Sequence, residues 1–530
     1  MFPTSARIQA LQSTLGNNLL LFAPELVVCG GIVALLLARL IRQFDRSHLG
    51  AVAIVILTAA LFAICDQLKV FDKGAGAYAG PYFDGMLVSD QFAGFVRCLV
   101  LIAALLTVLL TQLTGIPDAG DSGDFYALIL GGTLGMLLMV SANHLLMVFI
   151  AVEMASLPSY ALAGFLKGKR TGSEAALKYV VYGAGASGVM LYGITLLSGT
   201  FGTGYLPDIA EAVSRRTLDL PMLAGFGLLL VGLGFKLAAV PFHFWCPDVF
   251  EGAAAEVAGF LSVTSKAAAL ALTTRILLTL QAHQPLEWVV PGSLGLGVGV
   301  IAAITITFGN LAAFGQTNLK RLLAYSTIAH AGYMLLAVST VTASGAASIL
   351  YYLAAYIAMN LGAFAVVALV RNATRSEELS AYRGLIQRSP VLAITMTVFL
   401  LALLGLPPLA GFAGKFQAFA AVYNAAKLAI ATGHANLGTT FYVLFGVAAI
   451  NTAVSAYYYL KVVRVMLLDS PDAEVPPGSV VSQQAGELRV GSFASLYLTV
   501  LTVVLFAAGI AWNPLTTAAD RAASTFGLRR

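Results

Sequence analysis

The sequence predicts an all-α polytopic membrane protein of about fourteen transmembrane helices, on two observations. Of its 530 residues 59% are hydrophobic and 10% charged, with a mean hydropathy of +0.87, whereas charged residues make up about a quarter of a soluble chain. Apolar runs of roughly 18 to 28 residues also follow one another along the chain, matching the roughly 20 that a helix needs to cross a bilayer.

In order, the expected spans are 19–41, 50–66, 92–114, 124–142, 143–166, 174–199 and 221–246. The second seven are 254–281, 290–310, 320–342, 344–370, 389–429 (interrupted), 437–468 and 493–512. The first is too long for a signal-peptide core and has no A-x-A site after it, so it reads as a retained helix. An even number of spans puts both termini on one side. Fifteen Lys and Arg residues, Lys320 among them, fall on the opposite side against eleven, including Arg97 and Arg275, on the termini side. The positive-inside rule therefore places the termini outside the cytoplasm.

The net charge of +5 is small, and the basic residues are scattered through short loops. No basic stripe for nucleic acid results. Cys29, Cys65, Cys98 and Cys246 stand singly, without the spacing of a zinc or iron–sulfur site, and read as packing residues. Gly183-Ala-Gly185-Ala-Ser-Gly188 matches G-x-G-x-x-G but lies mid-helix rather than in a strand-to-helix turn, so it reads as a close-packing face. No P-loop and no metal-ligand cluster is present, and no cofactor is expected in this chain. Asn372-Ala-Thr374 matches a glycosylation acceptor but falls in a loop expected in the cytoplasm.

Two expected helices are broken at comparable places. In the seventh, Pro241 follows Lys236 by five residues; in the twelfth, Gly405, Pro407, Pro408 and Gly411 precede Lys415. Interrupted apolar segments in corresponding positions of two halves mark inverted repeats with a site at the break, where freed backbone groups line a wet cavity. The fourth to eighth and ninth to thirteenth helices would be the repeats. The expected divisions are thus 1–114, 124–281, 290–468 and 469–530.

Five ionisable residues fall well inside these helices: Glu153, Lys178, Lys236, Lys266 and Lys415. A charge at bilayer depth costs at least about 2.5 to 3.5 kcal/mol on insertion scales, so such residues face a protein interior or wet cavity and commonly serve ion pathways. At 1.5 Å per residue, Glu153 lies roughly 15 Å and Lys266 roughly 18 Å into their helices, near mid-membrane. A lysine desolvated in this way loses and regains a proton readily, and a nearby carboxylate opposes the loss. Glu153 and Lys236 then form a switch, Lys266 a central relay and Lys415 an exit, with Lys178 tuning the pair. The alternative is a set of static buried ion pairs, although four lysines against one carboxylate cannot all be paired. His330 either bridges Lys266 to Lys415 as a proton carrier or is a packing histidine. His243 reads as hydrogen-bonding carbonyls freed at the Pro241 break, while Tyr179, Tyr325, Ser265 and Thr264 order water beside the row.

The stretches GLGFKLAAVPFHFWCPDVFEGA, SVTSKAAA, NLAAFGQTNLKRLLAYSTIAHAGYMLL and GLPPLAGFAGKF, with VEMASLPSYAL, resemble signatures of one family. These are the antiporter-like, proton-translocating membrane subunits of complex I, the NADH:quinone oxidoreductase, and the likeness covers roughly residues 120–470. Subunit N is most similar. Lys415 disfavours subunit M, which usually has glutamate there, and the end at Arg530 leaves no room for the lateral helix of subunit L. The resemblance implies fourteen helices with two inverted five-helix repeats, Glu153 and Lys236 as input pair, Lys266 as central carrier and Lys415 as terminal carrier. It further implies a bacterial inner membrane and partners that are other complex I membrane subunits and, through them, the redox arm, where NADH, FMN, iron–sulfur clusters and quinone are bound. One departure is Gly252-Ala-Ala-Ala-Glu256, where the family commonly has Pro and Thr after Gly-Ala. The rival readings are a subunit of a multisubunit sodium/proton antiporter and a membrane scaffold without transport.

Overall fold

The computed structural model describes residues 15–40, 49–72, 80–166, 170–215, 219–282, 289–470 and 488–526. Its long helices, numbered in order, are α1 (Ala23–Ala38), α2 (Gly50–Asp72), α3 (Gln91–Thr114), α4 (Ser122–Ser141) and α5 (Leu145–Ala163). They continue as α6 (Arg170–Phe201), α7 (Leu220–Leu237), α8 (Ala255–Gln281), α9 (Val289–Ala313) and α10 (Leu319–Val338). The last are α11 (Ala343–Thr374), α12 (Pro390–Leu404), α13 (Ala410–Ala431), α14 (Ala435–Leu467) and α15 (Ser492–Ile510). Among the described residues eleven helices are long and apolar enough to cross a membrane. Twelve spans result if α1 and the short helix Leu15–Leu21, bent 76° from it, count as one. The expected count of about fourteen is larger because it included α10, which carries Lys320, Arg321 and His330, and joined α12 and α13 into one interrupted span.

Side-chain caps start the helices where the sequence offers them. Asp90 accepts from Ala93 N at α3, Asp219 from Met222 N at α7, Asn318 from Arg321 N at α10 and Thr342 from Gly345 N at α11, each satisfying a donor that the first turn leaves open. Apolar residues then run all round each helix, as they must where lipid or other helices surround it. Burial sorts the bundle into layers. The α8 span is wholly buried and α11 89% buried, whereas α2, α14 and α15 are 28% buried and form the outside.

Several small elements among the described residues were not expected, and three of them pack on the bundle. An antiparallel pair, β1 (Gly80–Tyr82) with β2 (Leu87–Ser89), closes the loop before α3. The helix Leu206–Ser214 buries Leu206, Ile209, Ala210 and Val213, a helical stripe too short to stand out among longer apolar runs. The helix Asn513–Ala523, in what reads as a tail, packs on α11 and α3 and receives a hydrogen bond from Gln417 at Thr516 (3.0 Å).

The ionisable residues inside the bundle are more numerous than the five expected. Arg97, counted among loop charges in the sequence, is buried on α3, ion-paired with Glu25 at 2.7 Å and donating to Tyr82. Arg275, counted likewise, is buried on α8, donates to both oxygens of Asp90 (2.7 and 3.0 Å) and to Val140 O (3.1 Å), and lies between the Phe92 and Phe526 rings. Lys320 is buried too, on Glu377 and on the carbonyl of Ala253. Each such cation lies close to a helix end in the sequence, where a loop position and a buried ion pair look alike. The Gly183–Gly188 motif packs only at its first glycine, where an added Cβ would meet the Tyr160 hydroxyl at 1.9 Å; Gly185 and Gly188 face open space. The expectation of a close-packed motif therefore holds for Gly183 alone, because α6 turns its other face outward.

Asp90 ties α3, α4 and α8 through a single arginine. Asp90→Ala leaves Arg275 buried without its partner and is expected to lower stability by about 3–5 kcal/mol, read as a fall in the thermal unfolding midpoint of the detergent-solubilised protein.

Candidate functional site

α7 ends one residue after Lys236. Ala238 takes a left-handed conformation (φ +55°), the Val240–Pro241 bond is cis, and the short helix Trp245–Gly252 resumes the path. The groups freed by this break are satisfied by neighbours rather than by His243. Val240 N donates to Thr305 Oγ1 of α9 (3.0 Å), and Trp245 Nε1 donates to the carbonyl of Phe235 (2.9 Å). His243 Nδ1 has no partner, and its ring packs against Phe244 and Phe308. The hydrogen-bonding role expected for His243 is corrected accordingly: the carbonyls of Gly234 and Phe235 at the break are taken by the backbone N–H groups of Ala238 and Ala239 and by Trp245.

Lys236 is buried at the last turn of α7, and its amine has no hydrogen-bond partner. Glu153, half-buried on α5, accepts a hydrogen bond from Ser187 of α6 and acts on Lys236 only through the longer-range field of its charge. Lys266 is wholly buried, and its amine too has no partner. The turn before it, Leu261–Ser265, is a π-helix. Such a turn adds a residue within α8, displaces the ladder of backbone hydrogen bonds, and is frequent at functional sites. Beside Lys266 the Ser265 hydroxyl is unpartnered, whereas Thr264 is used up on the carbonyl of Phe260.

The second break also stands beside a buried lysine, which here takes up the freed carbonyls. α12 stops at Gly405 (φ +91°), the Pro407–Pro408 bond is cis, and α13 begins at Ala410 so close that a Cβ on Gly411 would meet Ala402 O at 1.8 Å. Lys415 reaches back from α13 to the open carbonyls of Leu403 and Leu404, both at 3.0 Å, with its amine 4.7 Å from the centre of the Tyr333 ring. A helix C-terminus carries partial negative charge and an aromatic face attracts a cation, so the site holds an ammonium without any carboxylate.

His330 is buried on α10. Its Nδ1 lies 2.8 Å from the Tyr352 hydroxyl and its Nε2 3.2 Å from that of Tyr459, which in turn meets Ser326 at 2.6 Å. The charges of both Lys415 and Lys266 bear on the imidazole. Beyond Tyr333 the polar contacts continue through Asn310, Asn451, Thr452 and Tyr458 on α9 and α14. Buried polar groups are normally hydrogen-bonded to protein or ordered water. The unpartnered amines of Lys236 and Lys266 are therefore places where water belongs.

Lys178 does not join this row. It is 39% exposed, pairs with Glu174 (2.9 Å) and Asp248 (2.7 Å), and shares Asp248 with Arg321, which also holds Glu251 (2.7 Å). These residues line a cleft of about 260 Å³ at one end of α6, α10 and the short helix after the break. The expectation of a dry Lys178 is corrected because it lies two turns from the start of α6, within reach of acidic residues from the link. Of the residues expected to order water, Tyr179 stacks on Trp245 at 4.3 Å and Tyr325 packs near Phe308. Among the residues that sequence reading missed are Tyr352, Tyr459, Asn310 and Asn451. An asparagine inside an apolar helix is a signal in itself; a tyrosine there looks like packing.

Residues 142–440 match the family model described as NADH:quinone oxidoreductase/Mrp antiporter, TM. The NADH-quinone oxidoreductase subunit N of Anaeromyxobacter sp. (strain Fw109-5) is 40% identical over 520 residues, covering 94% of this chain and 95% of that protein. A chain of respiratory complex I from Thermus thermophilus with bound aureothin superposes with a TM-score of 0.71 at 32% identity, covering 94% of this chain and 100% of that one. A chain of the Mrp complex from Dietzia sp. DQ12-45-1b shares the fold at a TM-score of 0.78 and 21% identity, covering 96% and 97% respectively. With a model matched over more than half its length and a relative this similar from end to end, the chain belongs to the NADH:quinone oxidoreductase/Mrp antiporter family of membrane proteins.

Proposed function

We propose that this chain is a proton-translocating membrane subunit of an NADH-quinone oxidoreductase. The observation that carries the reading is the set of three buried amines, Lys236, Lys266 and Lys415, together with the buried His330 and its two tyrosine hydroxyls. Glu153 and Lys236 are the input pair: when the carboxylate draws near, Lys236 keeps its proton, and when it withdraws the proton moves on. Lys266 is the central carrier, the His330 group the bridge, and Lys415 the terminal carrier. Lys178 holds the cleft at one end together with Asp248 and Arg321. The backbone break around Pro407 and Pro408 gives Lys415 two carbonyls that an unbroken helix would keep for itself, whereas the break around Pro241 leaves the Lys236 amine without a partner.

On this reading the bundle has fourteen spans, α12 and α13 counting as one. Its two inverted repeats are α4–α8 and α9–α14, within 124–281 and 290–468. The termini lie outside the cytoplasm in a bacterial inner membrane. Oxidation of NADH and reduction of quinone take place in partner subunits that hold FMN and the iron–sulfur clusters, and this chain contributes proton movement alone.

The test is made on the assembled complex in sealed vesicles. Lys266→Ala is expected to abolish proton translocation and, through tight coupling, to slow quinone reduction; translocation at the wild-type rate would sink the reading. Sodium-dependent proton exchange without quinone reduction would instead point to an antiporter subunit. Lys178→Met is expected to change the translocation rate by no more than about fivefold, since a solvent-exposed ion pair contributes about 1 kcal/mol or less. His330→Ala is expected to slow translocation by about a hundredfold, the lower end of what a positioned proton-transfer group provides, as read from dye-reported acidification of the vesicle lumen.

A further inference from the structure

Glu256 is an ionisable residue that the path above does not use. It stands in the first turn of α8, wholly buried, and neither carboxyl oxygen has a hydrogen-bond partner. That turn packs against α11, α3 and α5. A carboxylate withdrawn from water without a partner costs several kcal/mol, and other buried or half-buried acids in the bundle avoid it: Glu25 has Arg97, Asp90 has Arg275, and Glu153 has Ser187. Glu256 has none of these. It also ends the Gly252–Glu256 segment, where the chain departs from the pattern it resembles.

Its place along α8 lies between two polar regions. Behind it is the cleft lined by Asp248, Glu251, Lys178 and Arg321, and the carbonyl of Ala253, three residues back, is held by Lys320. Ahead of it, ten residues on and about 15 Å along the axis, is Lys266. The interval carries polar side chains. The Ser262 hydroxyl accepts from Asn360 Nδ2 at 2.7 Å, the same amide donates to the Tyr356 hydroxyl at 2.9 Å, and the Oδ1 of Asn360 is unpartnered, as is the Ser265 hydroxyl.

We propose that Glu256 is the carboxyl that loads Lys266, taking protons from the cleft and passing them along water held by the polar side chains of Ser262, Asn360 and Tyr356. The assignment rests on the reading of Lys266 as a carrier. In one transfer an O–H bond breaks at Glu256 and an N–H bond forms at the neutral amine of Lys266. Intervening hydroxyls or water each accept one proton and release another. The carboxylate left behind is reprotonated from the cleft, and no electron moves.

The experiment compares Glu256→Gln, Glu256→Asp and Lys266→Ala in the assembled complex reconstituted into vesicles. Glu256→Gln keeps the shape and removes the titratable group, so the translocation rate is expected to fall about a hundredfold, and Glu256→Asp to recover most of it. Infrared difference spectra taken during turnover are expected to show a carboxylic C=O band that Glu256→Gln removes. Glu256→Gln translocating at the wild-type rate while Lys266→Ala is inactive overturns the assignment of Glu256 and leaves the carrier reading standing. Lys266→Ala translocating normally overturns that reading itself. A Glu256→Gln loss that appears only in the presence of sodium makes the carboxylate a cation site and likewise overturns the assignment. Should Glu256→Gln fail to assemble, the infrared band decides: present in the wild type and shifted in Glu256→Asp it supports the proposal, and its absence from the wild type refutes it.

Discussion

The structure depends on holding positive charge in a place where water is scarce. An amine at bilayer depth is tolerated only inside protein or beside a wet cavity, and the bundle provides the first for Lys236, Lys266 and Lys415 by setting them among its most buried helices. The same condition explains why the amines differ. Lys415 is held by two open carbonyls and an aromatic face, whereas Lys236 and Lys266 have no protein partner. On the proposed reading, this unequal support gives a proton a direction in which to move along the row.

Helix breaks are the means by which the backbone takes part. A continuous helix satisfies its carbonyls internally; only an interrupted one offers them to a side chain. At the first break the chain closes most of these groups with Thr305 and Trp245, so Lys236 remains responsive to the charge of Glu153. At the second break two carbonyls are left for Lys415. The π turn before Lys266 is a milder version of the same device, shifting the hydrogen-bond ladder without ending α8. By contrast, the ion pairs Arg275–Asp90 and Arg97–Glu25 are closed on themselves and serve as internal ties.

Much of this site was legible in the sequence. Lys236, Lys266 and Lys415 stand out because each is a cation set well inside an apolar run, and the prolines beside two of them mark the breaks. Lys178 looked equivalent and was not, because its distance from acidic residues of the link is set by how α6 packs on the short helix after Pro241. Arg97, Arg275 and Lys320 erred in the other direction, looking like loop charges while being buried. The tyrosines around His330 gave no signal, since an apolar helix uses tyrosine for packing as readily as for its hydroxyl.

By itself the sequence determined that this is a helical membrane bundle and which helices are broken, because hydropathy over some twenty residues and the presence of proline act locally along the chain. It also determined which side chains are out of place in an apolar setting. Tertiary structure decided which of those residues meet: that Glu153 turns to Ser187, that Lys415 reaches the end of α12, that His330 is held by two hydroxyls from other helices, and that Glu256 is sealed in. Those outcomes depend on distances between helices far apart in the chain, which no local pattern of residues specifies.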